Sequence, residues 1–298
     1  MKSDRSSEGF FYGFVGILIF SLTLPATRMA VSSFDPVFVG LGRSIVAAML
    51  SLMLLVLTRQ PIPPLKFLPN FGMVVMGVIV GFPLLSTIAM RDAPASHGAV
   101  IVGLLPLFTA LSGVWRAGER PSKPFWVFAG FGSTLVLVFA FLSGGGSVRW
   151  VDLTLIGAVL SAGLGYAEGA VLSRKFGSWQ VICWSLILAA PILLPIVWHH
   201  APTNFSSISP QATIGFLYVS VFSMFLGFFA WYRGLALGGI AKVGQIQLLQ
   251  PFLTILASAF LLGESIIFTT ILFSISVVVC VALGRQTKVM TQSIPHKH

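Results

Sequence analysis

The chain has 298 residues, of which 56% are hydrophobic and only 9% charged. A soluble domain carries roughly 25% charged residues, so a water-exposed globule is excluded and an integral membrane protein is expected. The formal charge of +10 does not point to nucleic acid. Its Lys and Arg stand singly or in pairs between apolar runs rather than on one face or arm, which is the placement that orients a protein in a bilayer.

Ten apolar runs follow one another, each bounded by charged, Pro-rich or Gly-rich breaks. They cover roughly 10–32, 36–58, 70–90, 94–115, 124–143, 153–173, 179–198, 211–232, 239–261 and 266–284. The fold class expected is therefore an all-α integral membrane protein with ten transmembrane helices. A β-barrel would alternate polar and apolar positions, whereas residues 74–85 and 266–283 are apolar on all sides. The first run is longer than a signal-peptide core and no small-residue cleavage site follows promptly, so it is read as a retained span. Connections are short, with no soluble domain between spans. Cys183 and Cys280 both fall inside apolar runs, where a buried thiol is expected rather than a disulfide.

Ten spans place both termini on one side. Of the 18 Lys and Arg, 13 then lie on that side and two, Arg91 and Arg149, on the other, while Arg28, Arg43 and Lys242 fall within spans. The positive-inside rule makes the first side cytoplasmic.

The second half echoes the first at a shift near 145 residues. Leu105-Pro106-Leu107-Phe108-Thr109 aligns with Gln250-Pro251-Phe252-Leu253-Thr254. Gly118-Glu119 aligns with Gly263-Glu264, and His97 falls opposite Lys242. Two expected units result, residues 1–145 with spans 1–5 and residues 146–298 with spans 6–10 and a short tail. Because each holds an odd number of spans, the second enters the membrane from the opposite face, giving inverted repeats. Exchanging the conformations of two such halves converts an inward-open cavity into an outward-open one, which is the logic of alternating access.

Two five-helix halves, each with Pro in its fourth helix and Gly-Glu at that helix's end, resemble the drug/metabolite transporter superfamily in its EamA-type branch. Asp35-Pro36 followed by Arg43 matches the family's second-helix pattern, although span 7 offers Trp184 and Ser185 but no arginine matching Arg43. Within the branch the chain looks most like the YddG-type aromatic amino acid exporters. The resemblance implies a secondary transporter in the cell inner membrane that exports aromatic or large neutral amino acids, or related metabolites. The alternative is an exporter of broader specificity for drugs, cations or other metabolites. The partners expected are a small-molecule substrate and the lipid bilayer.

Pro106 and Pro251 each remove one intrahelical hydrogen bond at mid-span, and their matched placement reads as a cavity-lining kink or hinge; the alternative is a packing kink. Pro25 and Pro83 have no proline counterpart. Span 9 carries the densest polar series, Lys242, Gln245, Gln247 and Gln250. Gln250 is deepest and adjoins Pro251, which makes it the leading candidate for a hydrogen bond to substrate, with Gln247 beside it. Lys242 lies nearer the helix end, where snorkelling to the interface competes with a gating role. Phe82, Tyr166 and Trp231 lie well within spans and could stack on an apolar substrate group. Trp126, Trp150, Trp179 and Trp198 sit at span ends, as an interfacial belt does.

Glu168 is the acidic residue deepest in an apolar run. It reads either as a gate, proton carrier or ammonium binder, or as half of an interfacial pair with Arg174 or Lys175. Arg43 is expected to pair with Asp35 on its own side, with contact to a substrate carboxylate as the alternative. His97 reads as an interfacial hydrogen-bonder or a proton relay. Glu119 and Glu264 are expected to cap the loops joining the fourth and fifth helices. Stripes of small residues, Gly9, Gly13 and Gly16 in span 1 and Gly157, Ser161 and Gly165 in span 6, permit close helix approach.

An enzyme is not expected. Asp35, Asp92 and Asp152 read as loop residues, so the two intramembrane aspartates of an aspartyl protease are missing. Ser112 and His97 share one helix about four turns apart, which does not suit a serine protease. No His, Cys or carboxylate cluster suggests a metal, and no cofactor is implied. The absence of G-x-x-x-x-G-K-[ST] argues against a built-in nucleotide site, so neither ATP hydrolysis nor an ATPase partner is expected. A channel would show a filter motif or oligomeric design, and nucleotide-sugar carriage would need more basic residues at mid-depth.

Overall fold

The computed structural model describes residues 2–121, 123–143, 148–285 and 289–291. These are almost entirely helical; two three-residue strands, Glu119–Pro121 and Val289–Thr291, pair antiparallel. Among the described residues, eight helical stretches are long and apolar enough to cross a membrane. They are span 1 (Ser7–Ala30), span 2 (Pro36–Leu57), span 3 (Leu65–Asp92), span 4 (Ala95–Ala117), span 6 (Trp150–Phe176), span 7 (Ser178–His199), span 8 (Pro210–Gly238) and span 9 (Ile240–Leu262). The fifth and tenth expected spans fall on the helices Lys123–Ser143 and Phe268–Arg285, which pack against each other. Both cysteines are free and buried.

Consecutive spans run antiparallel, so the molecule has a near end, holding Ser7, Phe176 and Gly238, and a far end, holding Ala30, Ala95 and Leu262. Span 1 packs along span 8 and against span 9, while span 6 packs along spans 3 and 4. The first helix of each half thus joins the third and fourth helices of the other half. Two groups result, spans 3, 4 and 6 and spans 8, 9 and 1, with spans 2 and 7 paired at their side.

Inside a bilayer no hydrophobic effect drives helices together, so close packing must do it. The glycines supply it. A Cβ on Gly9 would lie 2.7 Å from the Gly238 backbone nitrogen, and one on Gly77 would lie 2.6 Å from the Gly165 Cα. Of the two small-residue stripes, Gly9, Gly13 and Gly16 face spans 8 and 9, and Ser161 and Gly165 face span 3.

Spans 4 and 9 are broken helices. Span 4 stops at Val102 and resumes at Leu105. Across the gap the ladder tightens, with Leu104 N donating to Ile101 O at 3.0 Å and Leu107 N to Leu104 O at 3.0 Å. Span 9 passes through a 3-10 turn, Gln245–Leu249, before its second helix begins at Gln250. In each case a proline occupies the first turn of the resumed helix, where its missing N–H is not needed. The two breaks face each other: a Cβ on Gly103 would lie 3.4 Å from the Pro251 ring. Both resumed helices end on a glycine in the left-handed region, Gly118 at φ 65° and Gly263 at φ 64°, which explains the glycine of the repeated Gly-Glu pair.

A second feature went unread in the sequence. Span 3 carries a π-helical stretch, Val75–Gly81, and span 8 carries another, Tyr218–Leu226. At a shift of 145 they overlap almost completely. Such bulges widen a helix and leave its carbonyls less regularly paired.

Candidate functional site

Both π-helices and both groups converge on one buried cavity of only about 20 Å³. The site is therefore nearly closed. Corresponding residues of the two halves line it: Val78 with Ser223, and Pro83 with Phe228. Phe20 and Tyr166 come from the first helix of each half and stack with ring centroids 6.3 Å apart and planes within 10°. Phe228 meets Phe20 edge-on at 5.2 Å, and Trp231 backs Tyr166 at 5.5 Å. Phe82 and Met224 complete the apolar wall.

The polar groups are few. The Thr23 and Ser223 hydroxyls are 2.9 Å apart, joining spans 1 and 8. Gln250 is buried and its Oε1 has no partner. Arg43 is 1% exposed; its Nε donates to Gly40 O at 3.3 Å and its Nη2 meets no acceptor. The expected pair with Asp35 does not form. Asp35 instead accepts from Val37 N and Phe38 N at 2.8 and 3.2 Å, capping span 2, and faces His200 Nδ1 at 3.2 Å. A helix N-terminus exposes unpaired N–H groups that attract a carboxylate, and Arg43 lies too far along the helix to compete.

Of the candidates read from the sequence, Gln250, Tyr166, Phe82 and Arg43 thus meet in one cavity. Trp231 stands behind Tyr166, with its Nε1 buried and unpartnered. Gln247, Pro106 and Pro251 lie at the crossing of spans 4 and 9, where Thr109 Oγ1 donates to Gln247 Oε1 at 3.3 Å. Glu168, His97 and Lys242 stand apart, at the ends of spans. The sequence reading missed Phe20, Thr23, Val78, Ser223, Met224 and Phe228. Phe20 and Tyr166 are one position out of register at the repeat shift, which hid their pairing.

The span ends hold the charged groups. Glu168 is fully buried and pairs with Arg116 Nε and with Asn70, whose Nδ2 donates at 2.6 Å. This replaces the expected partners Arg174 and Lys175. Those two follow on the same helix, whereas Arg116 and Asn70 reach Glu168 from spans 4 and 3. At the far end Asp152, read as a loop residue, is completely buried in the first turn of span 6. It holds His97 Nε2 at 2.6 Å and accepts from Arg149 N at 2.9 Å. Spans 4 and 6 are therefore pinned at both ends. Lys242 is exposed, over the Phe10 ring at 5.4 Å, an arrangement that fits snorkelling.

Two further ties cross between the groups at the far end. Glu264 accepts from Ala95 N and Ser96 N at 2.8 and 3.0 Å, so it caps span 4 rather than its own loop. Arg28 donates to the carbonyls of Met90 and Arg91 at 2.5 and 2.6 Å, at the end of span 3. Each charge has the sign the helix dipole favours at that terminus. The side chain of Glu119 lies outside the described residues. At the near end a cleft of about 1130 Å³ opens between spans 1 and 8 on one wall and the ends of spans 6 and 7 on the other, with Tyr12, Arg174, Trp179 and Arg233 along it.

Known proteins resemble the chain throughout. The model of the EamA-like transporter family matches residues 7–142 and again 149–284. The uncharacterized transporter YdeK of Bacillus subtilis is 46% identical over 283 residues, covering 95% of this chain and 99% of the relative. The uncharacterized inner membrane transporter YedA of Escherichia coli K12 is 26% identical over 167 residues, about half of each chain. A solved crystal structure superposes with a TM-score of 0.67 over 94% of this chain and 99% of its own, at 16% identity, a likeness of fold alone.

Proposed function

The chain belongs to the EamA-like transporter family, and from that premise we propose that it exports amino acids with aromatic or large neutral side chains by alternating access around the central cavity. The observation that carries this reading is the cavity's construction: equivalent positions of the two halves line it, and a π-helix from each half forms its wall. A site on the axis between inverted repeats can be reached from either face when the halves exchange conformations. The rings of Phe20, Phe82, Tyr166 and Phe228 offer stacking and apolar burial to a side chain. The near-closed volume requires the two groups to part before a substrate enters.

In this reading ten spans cross the inner membrane as two inverted units, residues 1–145 and 146–298, and the near end with both termini faces the cytoplasm. The cleft there is the entry for substrate, while the ties of Arg28 and Glu264 hold the far end shut. Pro106 and Pro251 serve as hinges where spans 4 and 9 cross, and Gln250 contacts substrate.

The test is efflux from liposomes loaded with radiolabelled Phe, Trp, Thr or a quaternary cation. Selective release of the aromatic or large neutral amino acids is expected. Release of the cation alone would instead support a broader drug exporter, and no release of any probe would remove the amino acid reading. Replacing Pro106 or Pro251 with Ala is expected to slow efflux with folded protein still in the membrane; unchanged rates in both would remove the hinges.

A further inference from the structure

Arg43 has no counterion in the one place where a cation most needs one. Burying an isolated charge is costly unless a partner or hydrogen bonds compensate. Arg43 is 1% exposed, and its single hydrogen bond, at 3.3 Å, leaves Nη2 without an acceptor. None of the ion pairs among the described residues includes it. The cavity wall it joins contains no Asp or Glu, and Asp35 is occupied at the helix cap.

An uncompensated buried guanidinium facing a cavity is the complement of a carboxylate, which it can hold through two parallel N–H donors. Across the same cavity Gln250 presents a second unpartnered group, its Oε1 acceptor, at the first turn of the helix Gln250–Leu262.

We propose that Arg43 is the carboxylate receptor of the cavity, so that the substrates carry one carboxylate and bear no net positive charge. The assignment rests on the transport reading above and narrows it. An α-amino acid zwitterion fits, with its carboxylate on Arg43 and its ammonium at Gln250 Oε1. A lone cation does not: the aromatic wall would attract it, but the Arg43 charge would repel it at close range with no carboxylate to offset the repulsion.

The experiment measures equilibrium binding to the purified full chain with three probes that share one phenyl group: L-phenylalanine, 3-phenylpropanoate and 2-phenylethylamine. The two carboxylates are expected to bind, and the amine at least about tenfold more weakly. Arg43→Gln is expected to lose at least about tenfold in affinity for both carboxylates, and Arg43→Lys, which keeps the charge without the fork, to fall between. Arg43→Met without ligand is expected to unfold at a higher temperature than the wild type, because it removes a buried unpaired charge.

Equal binding of the amine, no binding of either carboxylate, or carboxylate binding untouched in Arg43→Gln would overturn the proposal. So would an Arg43→Met protein that is less stable yet still binds carboxylates. If Arg43→Gln does not fold, the ranking of the three probes on the wild type still decides. Failure of the transport reading looks different: a carboxylate bound through Arg43 but not released from liposomes removes transport and leaves the receptor. An amine that is both bound and released removes the receptor and leaves transport.

Discussion

The two ends of the molecule use charge differently. At the near end, Glu168 with Arg116 and Asn70 binds spans 3, 4 and 6 into one group. At the far end, Arg28 and Glu264 reach from one group to the other and grip the helix ends of spans 3 and 4. In the proposed alternating-access cycle, the first kind of contact makes a body that moves as a unit, and the second decides whether two such bodies are together or apart. An apolar cleft already stands open between the groups at the near end. Burial also separates the two kinds: Glu168 is fully enclosed, whereas the bond from Arg28 to Arg91 O is exposed.

That contrast can be tested, beginning with its most costly disruption. Arg116→Ala strands a fully buried carboxylate and is expected to destabilise the protein by about 3–5 kcal/mol. Glu168→Gln, which leaves no buried charge behind, should cost less, about 1–3 kcal/mol. Thermal unfolding in detergent gives the order, and the reverse order would show that the pair does not bind the group as described.

At the far end, Arg28→Ala and Glu264→Gln each remove charge-assisted bonds of about 1.5–3 kcal/mol, but from a contact that, in the proposed cycle, forms and breaks. Their expected effect is on opening rather than on unfolding. A cysteine placed at Thr23 in a chain without Cys183 and Cys280 should react faster with a water-soluble maleimide added at the far end, by roughly tenfold or more. A large drop in unfolding temperature with no gain in labelling would mean that these bonds hold the fold and not the gate.

The smallest effect is expected at the turn that presents Glu264. Gly263 has φ 64°, and a Cβ added there would meet nothing within 4 Å, so Gly263→Ala adds only left-handed strain of about 1–2 kcal/mol. Gly118→Ala, at φ 65° in equally open space, should cost the same, and unfolding measurements on both variants check the equality. A much larger cost at Gly263 alone would show that the turn transmits to span 4 through Glu264.

Much of this architecture was legible from the chain. Eight of the ten apolar runs coincide with helices long and apolar enough to span, because a helix in lipid must satisfy its own backbone and be apolar outside. The breaks near Pro106 and Pro251 could be expected from proline itself, which is accommodated at the start of a helix but not in its interior. Tyr166, Phe82 and Gln250 could be nominated for the cavity from depth alone. What depth could not supply was direction. The span containing Phe20 is apolar on nearly every side, so no hydrophobic face tells which way its ring points, and the π-helices of spans 3 and 8 leave no composition signature.

The sequence by itself thus determined where eight of its ten expected spans run as long apolar helices, where spans 4 and 9 break and which landmarks recur, since those depend on residues near one another in the chain. Only the tertiary structure decided the partners. Glu168 is met by Arg116 rather than by Arg174, Asp152 is enclosed rather than in a loop, Glu264 caps span 4, and Arg43 is left facing the cavity. Each of these depends on which helix lies alongside and how it is rotated about its axis. In a bundle whose helices are apolar on both the lipid and the core side, that rotation is set by packing of small residues and by a few polar contacts, which become visible only when the helices are brought together.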